Sequence, residues 1–169
     1  MNKNNKCGFT LIEIMVVVVI MGLMMGLVTM NLDSMTPSSR LEASTRSISS
    51  IVNLGMSHAV MSGKPTKLRY NISKGYYELY ITNEKDKFES MEKKFVSRGV
   101  SYKDVDVAGD RKYREGWVEI EISPLGILAG HVIHLNNDQN EETTIEVNPL
   151  SGVVTIKQGY YKMDFVEKL

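Results

Sequence analysis

Lys6-Cys7-Gly8-Phe9-Thr10-Leu11-Ile12-Glu13 opens the apolar run that decides how this chain is organised. Lys3 lies just upstream. From Ile14 to Val28 no side chain is charged or strongly polar, and Thr29, Asn31, Asp33 and Ser34 mark the end of the run. At 1.5 Å per residue, Phe9 to Met30 makes a helical rod of about 33 Å, enough to cross a bilayer core of about 30 Å. Glu13 is the anomaly. A carboxylate costs about 2.5–3.5 kcal/mol at the centre of a membrane helix and less near its end. Either Glu13 reaches headgroups and water, or it pairs with a cation in a partner.

The 169 residues suit one membrane helix followed by one domain. Basic and acidic side chains number 20 each. Removing a leader with Lys3 and Lys6 leaves 18 against 20, a net of −2, which argues against a protein whose main affinity is for phosphate backbones. Cys7 is the one cysteine, so no disulfide staples the domain and its core must suffice. Cys7 precedes the apolar run, whereas a lipoprotein cysteine would follow it. No small-x-small site near Met30 marks a conventional secretory signal. Lys3 and Lys6 hold the N-terminus in the cytoplasm, which puts residues beyond about Met30 on the other side.

Gly8-Phe9-Thr10-Leu11-Ile12-Glu13, after a short basic leader and before a long apolar run, resembles the type III signal of type IV pilins and type II secretion pseudopilins. The resemblance implies a leader at 1–8, cut by a prepilin peptidase between Gly8 and Phe9, and N-methylation of Phe9. It implies that Glu13 meets the new N-terminal amine of a neighbouring subunit during filament assembly. It also implies a single pass through a bacterial inner membrane, with the C-terminal domain in the periplasm. Many type IV pilins close a C-terminal loop with a disulfide, and this chain departs from them there. Gly22 and Gly26 form a small-x-x-x-small pair, read either as incidental membrane-helix glycines or as a site of close helix packing.

Beyond the run, Ser34 or Thr36 is a candidate helix cap, with Pro37 in the first turn. Leu41, Ile48, Ile51, Val52, Ala59 and Val60 recur at helical spacing, and Gly63-Lys64-Pro65 stops the pattern. One long, kinked helix from about Phe9 to Ser62 is expected, its first half in the membrane and its second half packed on a domain. After Pro65 the period becomes two. Lys67–Ile72 and Tyr76–Ile81 read as a hairpin about Ser73-Lys74-Gly75. Tyr76, Tyr77 and Tyr80 read as core or cross-strand partners. Val100–Val107, Trp117–Ile122, Val132–Leu135, Thr143–Val147 and Val153–Ile156 complete about seven strands. Glu84–Ser97 reads as a charged loop or short turn, and Ala108–Glu115 as a loop. A tail begins at Gly159.

The fold class is therefore α+β, a long N-terminal helix packed on antiparallel sheets. Its segments are a leader at 1–8, a membrane or filament-core helix at 9–30, an amphipathic half at 31–63 and a β-rich periplasmic domain at 64–169. The Ser123-Pro124-Leu125-Gly126 turn, the Asn/Asp turn near Asp138 and Ser151-Gly152-Val153-Val154-Thr155-Ile156 resemble the H-type minor pseudopilins and related minor pilins.

Little else suggests chemistry. His131 and His134 fall on opposite faces of a strand, which disfavours a metal pair. Asn136, Asp138 and Asn140 with Glu141 and Glu142 loosely follow a calcium loop, but Glu141 stands where glycine is needed, so a polar turn is the reading. No nucleophile and base are assembled, and no cofactor is expected. The expectation is a structural subunit rather than an enzyme: a minor pseudopilin of the type II secretion pseudopilus, acting in protein secretion. Its expected partners are the prepilin peptidase, other pseudopilins or pilins, the inner membrane, and secreted cargo or an outer-membrane channel. The alternatives are a minor pilin of a type IV pilus or competence system, with DNA binding disfavoured, and a membrane-anchored binding domain.

Overall fold

The computed structural model describes residues 11–29 and 36–163, with side chains in the first stretch through residue 22. Two helices precede nine strands among the described residues. Helix α1 spans Leu11–Thr29 and α2 spans Pro37–Ser62. The strands are β1 (Thr66–Asn71), β2 (Tyr76–Thr82), β3 (Phe88–Phe95), β4 (Val100–Val107), β5 (Lys112–Tyr113), β6 (Trp117–Ile122), β7 (His131–Asn137), β8 (Glu142–Val147) and β9 (Val154–Gln158). The chain divides into one compact unit through Met35 and a second from Thr36 on.

Helix α2 begins at its own cap, which replaces the single helix expected from Phe9 to Ser62. Thr36 is extended (φ −62°, ψ 155°) and accepts a hydrogen bond from the Ser39 amide, with Pro37 at the first helical position. An extended residue cannot continue a helix from the N-terminal side. Gly63, left-handed at φ 64°, ends the helix.

The buried stripe of α2 is Leu41, Ser44, Thr45, Ile48, Ile51, Val52, Gly55 and Ala59. Val60, expected on it, is 56% exposed. Thr45 and Ser44 fill the stripe without orphaning their hydroxyls. Thr45 Oγ1 donates to the Leu41 carbonyl, and Ser44 Oγ accepts from the Ser97 amide. At Gly55 the helix lies close against the sheet. A Cβ built there would lie 3.0 Å from Leu79 Cδ1 and 3.1 Å from Ile122 Cδ1, and Thr66 Oγ1 donates to the Gly55 carbonyl.

Both sheets are antiparallel. One has the order β3-β2-β1-β6, the other β5-β4-β7-β8-β9. Their inner faces supply Leu68, Tyr70, Tyr77, Leu79, Val118, Ile120, Val105, Ile133, Leu135, Ile145 and Val147 to one core with α2. Tyr77 belongs to this core, whereas Tyr76 turns to the outer face of the first sheet and packs between Phe95 and Trp117. The segment read as a charged loop at Glu84–Ser97 contains strand β3. It pairs with β2 at the sheet edge and is exposed along almost its whole length, so no buried face imposes an apolar alternation. Strand β5, inside the other expected loop, is a two-residue pairing with β4.

Candidate functional site

The N-terminal motif is the first candidate. Gly8 and Phe9, the expected cleavage and methylation positions, lie outside the described residues, as do Lys3, Lys6 and Cys7. Glu13 stands in the first described turn of α1. From Leu11 to Met21 the apolar side chains of α1 are exposed to their full circumference, with no polar face. Among the described residues, a Cβ at Gly22 would meet nothing within 4 Å, and Gly26 lies on the same helix. Among the described residues no helix is long and apolar enough to cross a membrane. The described side chains of α1 end at residue 22, short of the run to Met30 that the sequence supplies.

The β7–β8 turn is held by its own oxygens. Asn137 Oδ1 accepts from the Gln139 and Glu141 amides, and Glu141 Oε2 accepts from Asn137 Nδ2 and from Ser38 Oγ of α2. The hydrogen bonds from Ser38 and Asn137 hold the Glu141 carboxyl below the usual carboxylate range. These groups build a turn and tie it to the helix start. Beside it lies an open groove of about 420 Å³ between α2 and the β8–β9 edge, floored by Leu41 and Ile156 and rimmed by Glu42, Arg46, Glu141 and Glu142.

The two strand histidines do point to opposite faces. His131 is buried between the sheets. Its Nδ1–H donates to the Ala129 carbonyl at 2.9 Å, leaving Nε2 to accept from the Tyr70 hydroxyl at 3.2 Å. Burial pushes its pKa down from 6.5 to about 4, against the Ala129 hydrogen bond, so it is neutral at neutral pH. His134 faces outward, yet is 1% exposed because the segment after β9 crosses over it. Sequence reasoning did not find this second cluster. His134 and Asp104 meet at 2.6 Å, and Tyr160 stacks on the imidazole at 3.9 Å between ring centroids. Tyr160 donates to Asp104 Oδ2 and accepts from Lys112 Nζ. These partners lie far apart in sequence, and only the aromatic-basic composition of the tail hints at them.

Residues 3–29 match the family model described as the prokaryotic N-terminal methylation motif. No sequence among the curated proteins matches the chain. Solved structures do. The minor pseudopilin EpsH from the type II secretion system of Vibrio cholerae has a TM-score of 0.56 at 9% identity, over 70% of this chain and 95% of that one. Escherichia coli GspH gives 0.51 at 11% identity, over 76% and 94%. The Pseudomonas aeruginosa type IV minor pilin FimU gives 0.51 at 8%, over 69% and 87%. By its N-terminal motif the chain is similar to proteins with a methylated N-terminus, and by its fold it is similar to type IV pilin-like subunits. Its fold is that of the minor pseudopilins, α2 packed on antiparallel sheets, and is shared with a minor pilin. Two of these three similar structures bear the names of pilin or pseudopilin subunits, not of enzymes.

Proposed function

We propose that the chain is a minor pseudopilin, a structural and assembly subunit of a type II secretion pseudopilus, rather than an enzyme. The single observation carrying this reading is a methylation motif over residues 3–29 joined to a minor-pseudopilin fold. The precursor holds its N-terminus in the cytoplasm through Lys3 and Lys6, spans the inner membrane with Phe9–Met30 and places residues from about 31 on in the periplasm. A prepilin peptidase cuts between Gly8 and Phe9, and Phe9 is N-methylated. In the filament, the apolar surface of α1 exchanges lipid for neighbouring helices. Gly22 and Gly26 permit close approach there, and Glu13 pairs with a neighbour's N-terminal amine. The β domain faces outward toward other subunits, secreted cargo or the outer-membrane channel.

Mass spectrometry of the mature N-terminus is the decisive measurement. A start at methylated Phe9 supports the reading, and an intact Met1 would sink it. If the cut lies between Gly8 and Phe9, Gly8→Val should block processing. The FimU likeness keeps a second reading in view, a minor pilin of a type IV pilus. Loss of the gene separates the two: a secretion defect with normal pili favours the pseudopilus, and lost pili with normal secretion favours the pilus.

A further inference from the structure

After β9 the chain turns across the outer face of the five-stranded sheet as a strap, Gly159–Tyr161, running over β8 toward β7 and β4. The Gly159 amide donates to the Glu142 carbonyl. Thr144 Oγ1 donates to the Gly159 carbonyl and accepts from the Tyr161 amide. His134 closes the far end. Its Nε2 lies 2.8 Å from the Tyr161 carbonyl oxygen, while its Nδ1 lies 2.6 Å from Asp104 Oδ1.

Both ring nitrogens of His134 therefore face acceptors. A carbonyl oxygen can only accept. Asp104 accepts at its other oxygen from the Tyr160 hydroxyl. A neutral imidazole has one N–H and can satisfy only one of the two contacts. An imidazolium satisfies both. The charged groups around the ring come from every element packed near it. Asp104 and Lys103 come from β4, Lys112 from β5, Glu142 from β8, and Tyr160 and Tyr161 from the strap. Lys103 pairs with Glu142, and Lys112 with Asp106, so Asp104 is the carboxylate left to the histidine.

We propose that the strap is a proton-operated latch: His134 holds Gly159–Tyr161 against the sheet while both ring nitrogens carry protons, and releases it when one proton leaves. On opening, the neutral ring keeps its short contact to Asp104, and the Tyr161 carbonyl loses its donor. The face under the strap, with Thr144 and His134, then becomes accessible. The latch stands on contacts within the β domain and does not depend on which filament the chain enters.

The experiment uses the full chain in detergent micelles. Ring nitrogen spectra of His134 and hydrogen-exchange protection of the Tyr161 amide are followed from about pH 5.5 to about pH 9. Expected are two protonated ring nitrogens at the acid end and loss of one as pH rises. Protection of the Tyr161 amide should fall at least tenfold in step, while core amides such as Ile133 and Ile145 keep theirs. In His134→Gln the strap should stay weakly protected at every pH. In Asp104→Asn the release should move to lower pH. If His134→Gln disturbs the core amides, the wild-type ring spectrum decides alone. A singly protonated ring at pH 5.5, Tyr161 protection independent of pH, or wild-type release persisting in a folded His134→Gln would each overturn the latch.

Discussion

His131 shows how one buried residue sets a property of the whole domain. It sits between the sheets, donates from Nδ1 to Ala129 and accepts from Tyr70, and so is satisfied only as the neutral ring. Burial lowers its pKa from 6.5 to about 4. The unfolded chain thus takes up this proton first as pH falls. Stability from this group is complete above about pH 6.5, is lost progressively as pH falls to about 4, and changes no further below that. The loss amounts to about 3 kcal/mol. Urea unfolding of the full chain at pH 7 and pH 4 measures it. His131→Phe should be less stable at pH 7, because Tyr70 loses its acceptor, but it should lose correspondingly less between the two pH values. Glu119 and Glu141 add their own acid sensitivity. Burial raises the Glu119 pKa, but the hydrogen bond and charge of Arg69, with Lys67 beside it, outweigh burial and hold it down. The wild-type and variant difference removes these shared contributions.

At the scale of elements, α2 is positioned by what it lacks at one point. Gly55 lets the helix axis approach β1, β2 and β6 until Leu79 and Ile122 fill the space a side chain would take. Gly55→Val should therefore cost about 1–3 kcal/mol through overpacking, read as a fall in the unfolding midpoint. The matching substitution Gly22→Val on α1 has open space and should leave the β domain's midpoint unchanged. These elements differ in how far the sequence announces them. Helix α2 is legible at its C-terminal end, because Gly63 acts through local backbone chemistry, whereas its start at Thr36, one of two candidate caps, is hidden in the apolar pattern that reads as one helix from Phe9 to Ser62. The alternating strands β4 and β6 are legible because each buries chiefly one face, and β1 and β2 because they alternate about a short turn. Strand β3 was not, since Phe88, Met91 and Phe95 stay exposed beside Glu89, Glu92, Lys93 and Lys94, and its pairing with β2 comes from the fold. The candidate sites divide the same way. The Gly8–Glu13 motif is contiguous and readable. His134, Asp104 and Tyr160 are brought together across 30 and 56 residues, and no local pattern encodes them.

For the whole molecule, the two units solve their apolar surface differently. From Thr36 on, the chain closes a core of its own between α2 and two sheets. In α1 the apolar side chains from Leu11 to Met21 are exposed among the described residues, and an apolar helix of that kind needs lipid or other helices around it. Lipid alone would satisfy the valines, leucines and methionines, but it would be a poor environment for Glu13. Glu13→Leu separates the two environments. Replacing a carboxylate with leucine makes insertion easier by up to about 3 kcal/mol, so the precursor should reach the membrane and be processed at least as well as the wild type. If apolar packing were all that joined subunits, the variant would also enter filaments as well as the wild type. If Glu13 supplies the charge that captures a neighbour's N-terminal amine, the processed variant should accumulate in the membrane and be depleted at least tenfold from sheared filaments. Quantifying mature chain in both fractions, alongside the N-terminal mass, distinguishes these outcomes. Wild-type incorporation of a correctly processed Glu13→Leu chain would remove the pairing role and leave α1 a hydrophobic rod.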